Sequence, residues 1–277
     1  MAIDYIVNCE CEVKKALTQE MLTSKIKAKE LAEQIIKNVE AKGKTFNDAL
    51  KVVVERERDL QGSEPVIIKQ TVKEILEEVQ ELEQYELVCK KCAVSKGEAF
   101  GCYKCIHYPI SEKAEHWIVR MAQEAMKAGG AAAVPLQMIN KFGVSGQSYK
   151  NARQAGNSFF QLGEAPAAVT LNNGFLKKKK IDTNQIFELM FNLPILEKEF
   201  LLVFLSFSGA MRIVKEEPKL NSEHMMSCKM TDDNEESWLI FDMADHEDDD
   251  LTILELKEFF RTLFTAFAMN YTIAIES

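Results

Sequence analysis

Cys89-Lys-Lys-Cys92 and Cys102-Tyr-Lys-Cys105 are two Cys-x-x-Cys pairs, separated by the nine residues 93–101. Two residues between paired cysteines allow both sulfurs to reach one metal ion from a tight turn, and two such turns close a tetrahedral four-sulfur site. We therefore predict a metal site whose ligands are Cys89, Cys92, Cys102 and Cys105. Because four protein ligands leave no open position, a zinc ion there would be structural, and zinc is preferred to an iron–sulfur cluster.

The spacing resembles the paired knuckles of zinc-ribbon proteins over about seventeen residues, with an intervening loop shorter than is usual for that class. Gly97 and Gly101 provide the turn freedom that so compact a loop requires. A zinc tetrathiolate carries about two negative charges, and nearby positive side chains favour the thiolate forms. Four lysines supply this field: Lys90, Lys91, Lys96 and Lys104.

A second interpretation of the cluster is a set of buried, reduced thiols. It would be preferred for one Cys-x-x-Cys pair, but two pairs so close together favour a metal. His107 extends the second pair to Cys-x-x-Cys-x-His. A closed four-cysteine site does not need it, and we expect an ordinary strand residue there. Cys9 and Cys11 are expected to be buried and Cys228 to be incidental.

The composition indicates a folded protein with a sizeable core. The chain has 277 residues, 47% of them hydrophobic, which suffices for one large domain or two smaller ones. No apolar run approaches the roughly 20 residues that span a bilayer, and no signal-peptide core is visible, so we expect a cytoplasmic protein without a membrane partner. Seven cysteines, four of them in tight pairs, fit a reducing compartment. The net charge of -9 argues against a generally basic surface that coats nucleic acid.

Periodicity predicts a mainly α fold with a small β component, namely a zinc-knuckle hairpin and one β-hairpin near residues 167–181. We divide the chain into residues 1–110, a helical region that ends in the four-cysteine zinc module, and residues 111–277, a second mainly helical region. In the first region we expect a strand followed by three helices, over residues 3–7, 17–42, 45–60 and 69–85.

The second region is predicted to begin with a helix whose N-cap is Ser111 and which ends at Gly129-Gly130. Residues 200–207 read as a fully buried helix, and residues 215–237 as an exposed loop. An aromatic-rich helix is predicted over residues 253–267.

The stretch Leu136-Gln-Met-Ile-Asn-Lys-Phe-Gly-Val-Ser-Gly-Gln-Ser-Tyr-Lys-Asn-Ala-Arg153 resembles the helix-turn-helix pattern of DNA-binding proteins. The resemblance implies two short helices, over residues 134–142 and 147–155, and the hairpin after them looks like the basic wing of a winged-helix unit. It makes Ile139, Val144, Tyr149 and Ala152 the packing positions. The side chains that it turns toward the groove are Gln147, Ser148, Lys150 and Arg153.

Charge supports a nucleic-acid partner for this segment. Residues 134–181 carry seven bases and one acid, a net charge of +6, whereas the remainder carries -15. The alternative is a helix pair with a solvated hairpin edge, where lysines commonly block aggregation. The candidate nucleic-acid contacts are Gln147, Lys150, Arg153, Lys177, Lys178, Lys179 and Lys180.

The acidic stretch Asp245-His-Glu-Asp-Asp-Asp-Leu-Thr-Ile-Leu-Glu255 resembles the loop of an EF-hand. The resemblance implies calcium ligands at Asp245, Glu247, Asp249 and Glu255. Two departures weigh against it, because Asp250 stands where a glycine is expected and the loop has eleven residues instead of twelve. The alternative is an acidic helix N-terminus that Asp250 or Thr252 caps.

No motif predicts catalysis, and we name no catalytic residue. The four histidines lie outside recognisable nucleophile or metal motifs, and neither a phosphate-binding loop nor a dinucleotide fingerprint is present. The sequence therefore favours a non-enzymatic regulatory or adaptor protein, stabilised by structural zinc, that binds another protein. The first alternative is a zinc-containing, winged-helix-like regulator that binds nucleic acid through residues 134–181. The second is a thiol or iron–sulfur redox protein.

Overall fold

The computed structural model describes residues 2–58, 66–155, 159–161, 166–173, 177–232 and 235–276. About 53% of the residues are in helices and 21% are in the strands of small sheets, so the fold is mixed, with helices dominant. The chain divides into two compact units. The sheet unit comprises Met1–Cys9 and Cys102–Ser277, and the helical unit comprises Glu10–Gly101.

The helices, in chain order, are α1 Glu12–Ala16, α2 Gln19–Ala41, α3 Phe46–Leu50, α4 Val72–Val79, α5 Glu83–Lys90, α6 Glu112–Ala128, α7 Val134–Lys141, α8 Gln147–Gln154, α9 Thr183–Phe191, α10 Lys198–Phe207 and α11 Leu251–Ala268. The strands are β1 Ala2–Val7, β2 Val53–Arg58, β3 Val66–Thr71, β4 Tyr103–His107, β5 Ala168–Asn173, β6 Lys177–Asp182, β7 Ile195–Leu196, β8 Met211–Val214, β9 Met225–Asp232, β10 Glu235–Asp242 and β11 Ile273–Glu276.

The sheet unit is built around an antiparallel sheet in the order β4-β1-β11-β7. Its inner strand β1 is apolar apart from the buried Asp4, and Ile3, Tyr5 and Val7 are each at most 1% exposed. Helix α11 packs on it through an edge-to-face contact between the rings of Tyr5 and Phe259, 5.0 Å apart. The predicted first strand is confirmed, and its two partners come from distant parts of the chain.

Helices α6 and α11 begin side by side. Ser111 caps α6 by accepting from Ala114 N, and Asp250 caps α11 by accepting from Ile253 N. The predicted cap at Ser111 is confirmed, and of the two residues considered for the second cap, Asp250 is the one observed; the helices that follow both caps are confirmed as well. The helix predicted over residues 200–207 is present as α10, but it is not fully buried, because Leu202 is 37% exposed.

A second antiparallel sheet, in the order β8-β10-β9, replaces much of the predicted loop over residues 215–237. That prediction was wrong for all of β9 and for the start of β10. The sequence of strand β9 mixes polar and apolar residues because the strand lies at the edge of its sheet, where those of its side chains that the structure describes are half-buried or exposed. Pairing with β10, whose Leu239 and Phe241 are fully buried, holds it in place.

The helical unit is organised by the long helix α2, whose Ile26 and Ala32 are buried. Lys29 of α2 donates to Glu86 of α5 at 2.6 Å. The helix predicted over residues 45–60 was too long. Its capping box at Thr45 and Asp48 is present, but α3 ends at Leu50, and β-branched valines then favour strand β2.

The next predicted helix began too early. Residues 66–71 form strand β3, which pairs with β2, and Thr71 then caps α4 in a second capping box with Glu74. The apolar residues of the predicted helix are therefore shared between a strand and two helices.

Candidate functional site

Cys105 and His107 lie on the same side of strand β4, which is an edge strand of the sheet unit. Residues two apart on a strand project to the same side, and Cys105 Sγ lies 3.6 Å from His107 Nε2 and 3.7 Å from Nδ1. A thiol and an imidazole, the two commonest zinc ligands, thus meet at an accessible edge of the sheet.

Glu255 of α11 fixes the orientation of His107. Its Oε1 lies 2.6 Å from His107 Nδ1, and its Oε2 accepts from the backbone N–H of His107 at 2.8 Å. The Glu255 side chain is 15% exposed, and that of His107 is 57% exposed. One carboxylate therefore holds both the ring and the outward-facing amide of the edge strand.

These contacts change the acidity of the imidazole. The contact with Cys105 Sγ, followed by that with Glu255, raises the pKa of His107 from its usual 6.5 to about 10, although partial burial of the ring acts in the opposite direction. The side chains of Cys105, His107 and Glu255 form the site that we call the strand-β4 cluster.

The two Cys-x-x-Cys pairs have different local structures. In the helical unit, Cys89 is buried near the end of α5, and Cys92 N donates to Cys89 O at 2.9 Å, which closes a turn. In the sheet unit, Cys102 directly precedes β4, and its carbonyl accepts from Val7 N at 2.9 Å. Cys105 is the middle residue of the strand. The second pair therefore runs into a regular strand, and β4 pairs with β1 instead of forming the expected knuckle hairpin.

The loop between the pairs is compact. Ser95 N donates to Cys92 O at 3.0 Å, and Gly97 has a φ of +88°. A Cβ atom on Gly101 would lie 2.5 Å from Ser95 O, so glycine is required there by close packing and not by φ. Both glycines that the sequence singled out thus have a physical role.

The acids of the EF-hand-like stretch are bound to basic side chains of the same unit. Asp245 pairs with Arg261, and Asp249 pairs with Lys257, both bases lying on α11. Glu255 is turned toward His107, and Glu247 is exposed. The structure thus brings Glu255 to His107, whose ring also contacts the predicted metal ligand Cys105, while Asp245 and Asp249 have separate cationic partners. Calcium binding here stays a prediction from sequence.

The predicted helix-turn-helix segment has the expected elements, because α7 and α8 flank a turn and the hairpin of β5 and β6 follows them. Two of its packing positions, Ile139 and Tyr149, are buried, whereas Val144 and Ala152 are half-buried. Gly146 caps α8 at a φ of +70°, and a Cβ atom there would lie 2.8 Å from Asn184 Cβ. This second glycine of the turn lets α8 approach α9.

The four side chains expected to face a nucleic-acid groove differ in the residues to which they are hydrogen-bonded. Gln147 is exposed and bonds Asn151, whereas Lys150 donates to Ser145 O. The two others bond side chains of other helices. Ser148 Oγ donates to Glu188 Oε1 at 2.8 Å, and Arg153 donates to Glu115.

Arg153 of α8 lies in a polar cluster with side chains of α6 and α9. Its guanidinium lies 3.3 Å from the centre of the Phe160 ring, and its Nε donates to Asn184 Oδ1 at 2.9 Å. Glu115 of α6, only 2% exposed, also accepts from Thr183 Oγ1. The ion pair of Arg153 and Glu115 therefore links α6 to α8, an assignment that the sequence pattern did not suggest.

Of the predicted basic wing, the structure describes strand β6 and the side chain of Lys180, which is exposed and opposite Thr170. The side chains of Lys177, Lys178 and Lys179 lie outside the described residues, and so does the tip of the hairpin, residues 174–176. Their part in nucleic-acid binding stays a prediction.

The sequence placed His107 on a strand, as observed, but did not predict its contacts with Cys105 and Glu255. The signal was present as Cys-x-His on a short run of strand-forming residues, a spacing that places both side chains on one side of a strand. The position of Glu255, 148 residues further on, could not be read from any local pattern.

Among the residues that the structure describes, no three side chains of His, Cys, Asp or Glu form a group that could hold a metal by themselves. None of the described helices is long and apolar enough to cross a membrane. Comparisons with protein-family models, curated protein sequences and solved structures found no match.

Proposed function

We propose that this chain is a regulatory or adaptor protein that binds zinc through the cysteines of its two Cys-x-x-Cys pairs. The observation that carries the proposal is the strand-β4 cluster, in which a predicted zinc ligand, Cys105, lies beside an imidazole that a carboxylate orients. Carboxylate–histidine pairs of this kind are typical of the surroundings of protein-bound zinc. The zinc is structural, since protein side chains fill its coordination positions.

Metal analysis of the purified full chain tests the zinc. We expect about one zinc per chain, and a loss of most of it in Cys89→Ser and Cys105→Ser. Cys228→Ser is the matched control, because Cys228 lies on β9, remote in sequence from both pairs. Wild-type protein purified without stoichiometric zinc would end the proposal. Chain loaded with iron and absorbing in the visible range would favour the redox alternative.

The adaptor role needs a surface for a protein partner, and strand β8 offers one. It is an edge strand, and its Ile213 is 61% exposed. An exposed edge can pair with an extended segment of another protein, while an apolar side chain adds contact area. In affinity capture, the wild-type chain should therefore retain a protein partner. Ile213→Asp should lose this partner, whereas Leu220→Asp, a control at a similarly exposed residue on the following loop, should keep it. Equal capture by both variants would contradict this surface.

The second candidate function is nucleic-acid binding, which the order of α7, α8 and the lysine-bearing hairpin favours. With Arg153 and Ser148 engaged inside the unit, we expect binding to depend on Gln147, Lys150 and the lysines of β6. Binding would then be mainly electrostatic and weakly sequence-specific.

A mobility-shift assay over a salt series tests this candidate. If four lysines each neutralise one phosphate of duplex DNA, changing Lys177 to Lys180 to Ala should reduce the slope of log K against log salt by about 3 to 4. The control replaces four exposed lysines of the helical unit by Ala: Lys37, Lys42, Lys44 and Lys51. Equal slopes in the two variants would exclude the hairpin as the contact.

A further inference from the structure

We infer that the turn between α7 and α8 binds the unpaired nucleotides of a single strand, with the ring of Phe142 stacked on a base and with Lys141 and Lys150 at the phosphates. The inference rests on the second candidate function, nucleic-acid binding, and names the kind of nucleic acid, which is single-stranded DNA or RNA.

The first argument is the exposure of Phe142. Of the aromatic side chains that the structure describes, only those of Phe46 and Phe142 are exposed, and Phe142 is 65% exposed. An aromatic ring in water gains free energy when a flat apolar surface covers it, and every nucleobase has such a face. Phe142 is therefore a platform of the kind on which proteins that bind single strands stack bases.

The second argument is that the turn holds this residue in a fixed place. Phe142 N donates to Met138 O at 2.9 Å, and Val144 N donates to Ile139 O at 3.0 Å, so the backbone on both sides of the ring is bonded to α7. A Cβ atom on Gly143 would meet no atom within 4 Å, which leaves open space beside the turn. A ring that is already positioned loses little conformational entropy when a base stacks on it.

The third argument is charge. Residues 134–154, which comprise α7, the turn and α8, contain three bases and no acid. Lys141 Nζ lies 5.6 Å from the centre of the Phe142 ring, and Lys150 Nζ donates to Ser145 O of the same turn. Two ammonium groups are thus placed at the turn that carries the exposed ring, as the phosphates on either side of a stacked base require.

These features favour a single strand over a duplex. Inside a duplex, neighbouring bases cover both faces of each base, so an exposed ring finds no face on which to stack. Reading base edges in a groove would instead need Ser148 and Arg153, and these are bonded to Glu188 and Glu115.

The surroundings of Phe142 fit a protein partner less well. Its exposed neighbours in sequence are polar or lack a side chain, namely Lys141, Gly143, Ser145 and Gln147. The centre of a protein–protein interface is a contiguous apolar patch, which a single ring does not provide.

Fluorescence anisotropy of labelled oligonucleotides, titrated with the full chain, tests the inference. The probes are oligothymidylate and oligouridylate of about 12 nucleotides, an abasic deoxyribose-phosphate strand of the same length, and a DNA duplex of that length. The first two probes distinguish DNA from RNA, and the abasic strand keeps the phosphates but lacks the bases. The variants are Phe142→Ala, Phe142→Trp and, as the matched control, Phe46→Ala, which removes the other exposed ring.

Wild type should bind at least one of the two unpaired strands more tightly than the abasic strand. Phe142→Ala should weaken that binding by about 5- to 150-fold, the loss of one stacked base, and should leave binding of the abasic strand unchanged. Phe46→Ala should bind like wild type. Phe142→Trp should keep the affinity, and its added indole fluorescence should be quenched by the bound base, which keeps the test decisive if Phe142→Ala does not fold.

Two results separate failure of this inference from failure of the candidate function. If nucleic acid is bound but Phe142→Ala has the affinity of wild type for the unpaired strands, phosphate contacts alone hold the nucleic acid and the stacking role of Phe142 is wrong. If wild type binds none of the probes, nucleic-acid binding fails as a function and the inference fails with it.

Discussion

Ser111 Oγ donates a hydrogen bond to Asp250 Oδ2 over 2.5 Å, and each of these residues is the N-cap of a helix. Two cap side chains, 139 residues apart in the chain, thus join the starts of α6 and α11. The acid cluster that resembles an EF-hand therefore has a defined structural role at one of its residues.

Removal of both caps should cost less than the sum of the two single removals, because each single change already breaks the hydrogen bond that the two residues share. Ser111→Ala and Asp250→Ala should each lower the free energy of unfolding by about 1 kcal/mol. The double variant should reveal a coupling of about 0.5–1.5 kcal/mol, the value of the shared hydrogen bond. Urea unfolding followed by tryptophan fluorescence measures this, because Trp117 and Trp238, the two tryptophans of the chain, both lie in the sheet unit. Thr45→Ala, a cap in the helical unit, is the control that should show no coupling to Ser111→Ala.

Lys257 and Asp249 form an ion pair whose side chains are only 3% and 6% exposed. Lys257→Met should cost about 3–5 kcal/mol, because it leaves a carboxylate buried without its partner. The double variant Lys257→Met with Asp249→Leu should recover most of that loss. Lys113→Met, which removes an exposed pair with Asp248, should cost at most about 1 kcal/mol. Similar losses in the two lysine variants, measured by urea unfolding, would contradict the buried pair.

Asp249 also predicts a dependence of stability on acid. Burial tends to raise the pKa of its carboxyl, but the hydrogen bond from Lys257 and that from His246 N outweigh it and lower the pKa below its usual value. Stability from this group is complete above the unfolded pKa of about 3.9 and is lost as the pH falls through the lower folded pKa. We expect the urea midpoint of wild type to fall more steeply below about pH 4 than that of Asp249→Asn. Parallel curves for the two proteins would refute the assignment.

Arg153 should behave as a structural residue. Arg153→Ala leaves Glu115 buried without its cation and removes the contact with Phe160, so it should destabilise the sheet unit by about 3–5 kcal/mol. Arg153→Lys should restore only part of this, because lysine cannot reproduce the planar fork of the guanidinium. Gln147→Ala, on the exposed side of α8, should change stability by less than about 0.5 kcal/mol. If Arg153→Ala unfolds at the same temperature as wild type, the ion pair with Glu115 does not stabilise the fold. Arg153 would then again be a candidate nucleic-acid contact.

Helices with strong local signals could be predicted from the sequence, and elements that depend on distant partners could not. The caps at Ser111 and Asp250 and the apolar stripe of α6 are local, so α6 and α11 were anticipated. Strand β11 pairs with β1 across the whole length of the chain. Its register, like the approach of Glu255 to His107, depends on how the chain folds and not on neighbouring residues. For the candidate site, the sequence therefore predicted Cys105 but not the contact of Glu255 with His107.

The loop between the cysteine pairs provides a prediction that runs against the usual rule for glycine. Gly97 has the positive φ, which costs about 1 kcal/mol when a side chain is added, but open space surrounds it. Gly101 has an ordinary φ, yet an added Cβ would lie 2.5 Å from Ser95 O, a backbone atom that cannot swing aside. Gly101→Ala should therefore destabilise the helical unit by about 1–3 kcal/mol, more than Gly97→Ala. Hydrogen exchange of the amides over residues 92–101 measures both, and faster exchange in Gly97→Ala than in Gly101→Ala would show that φ, and not packing, limits this loop.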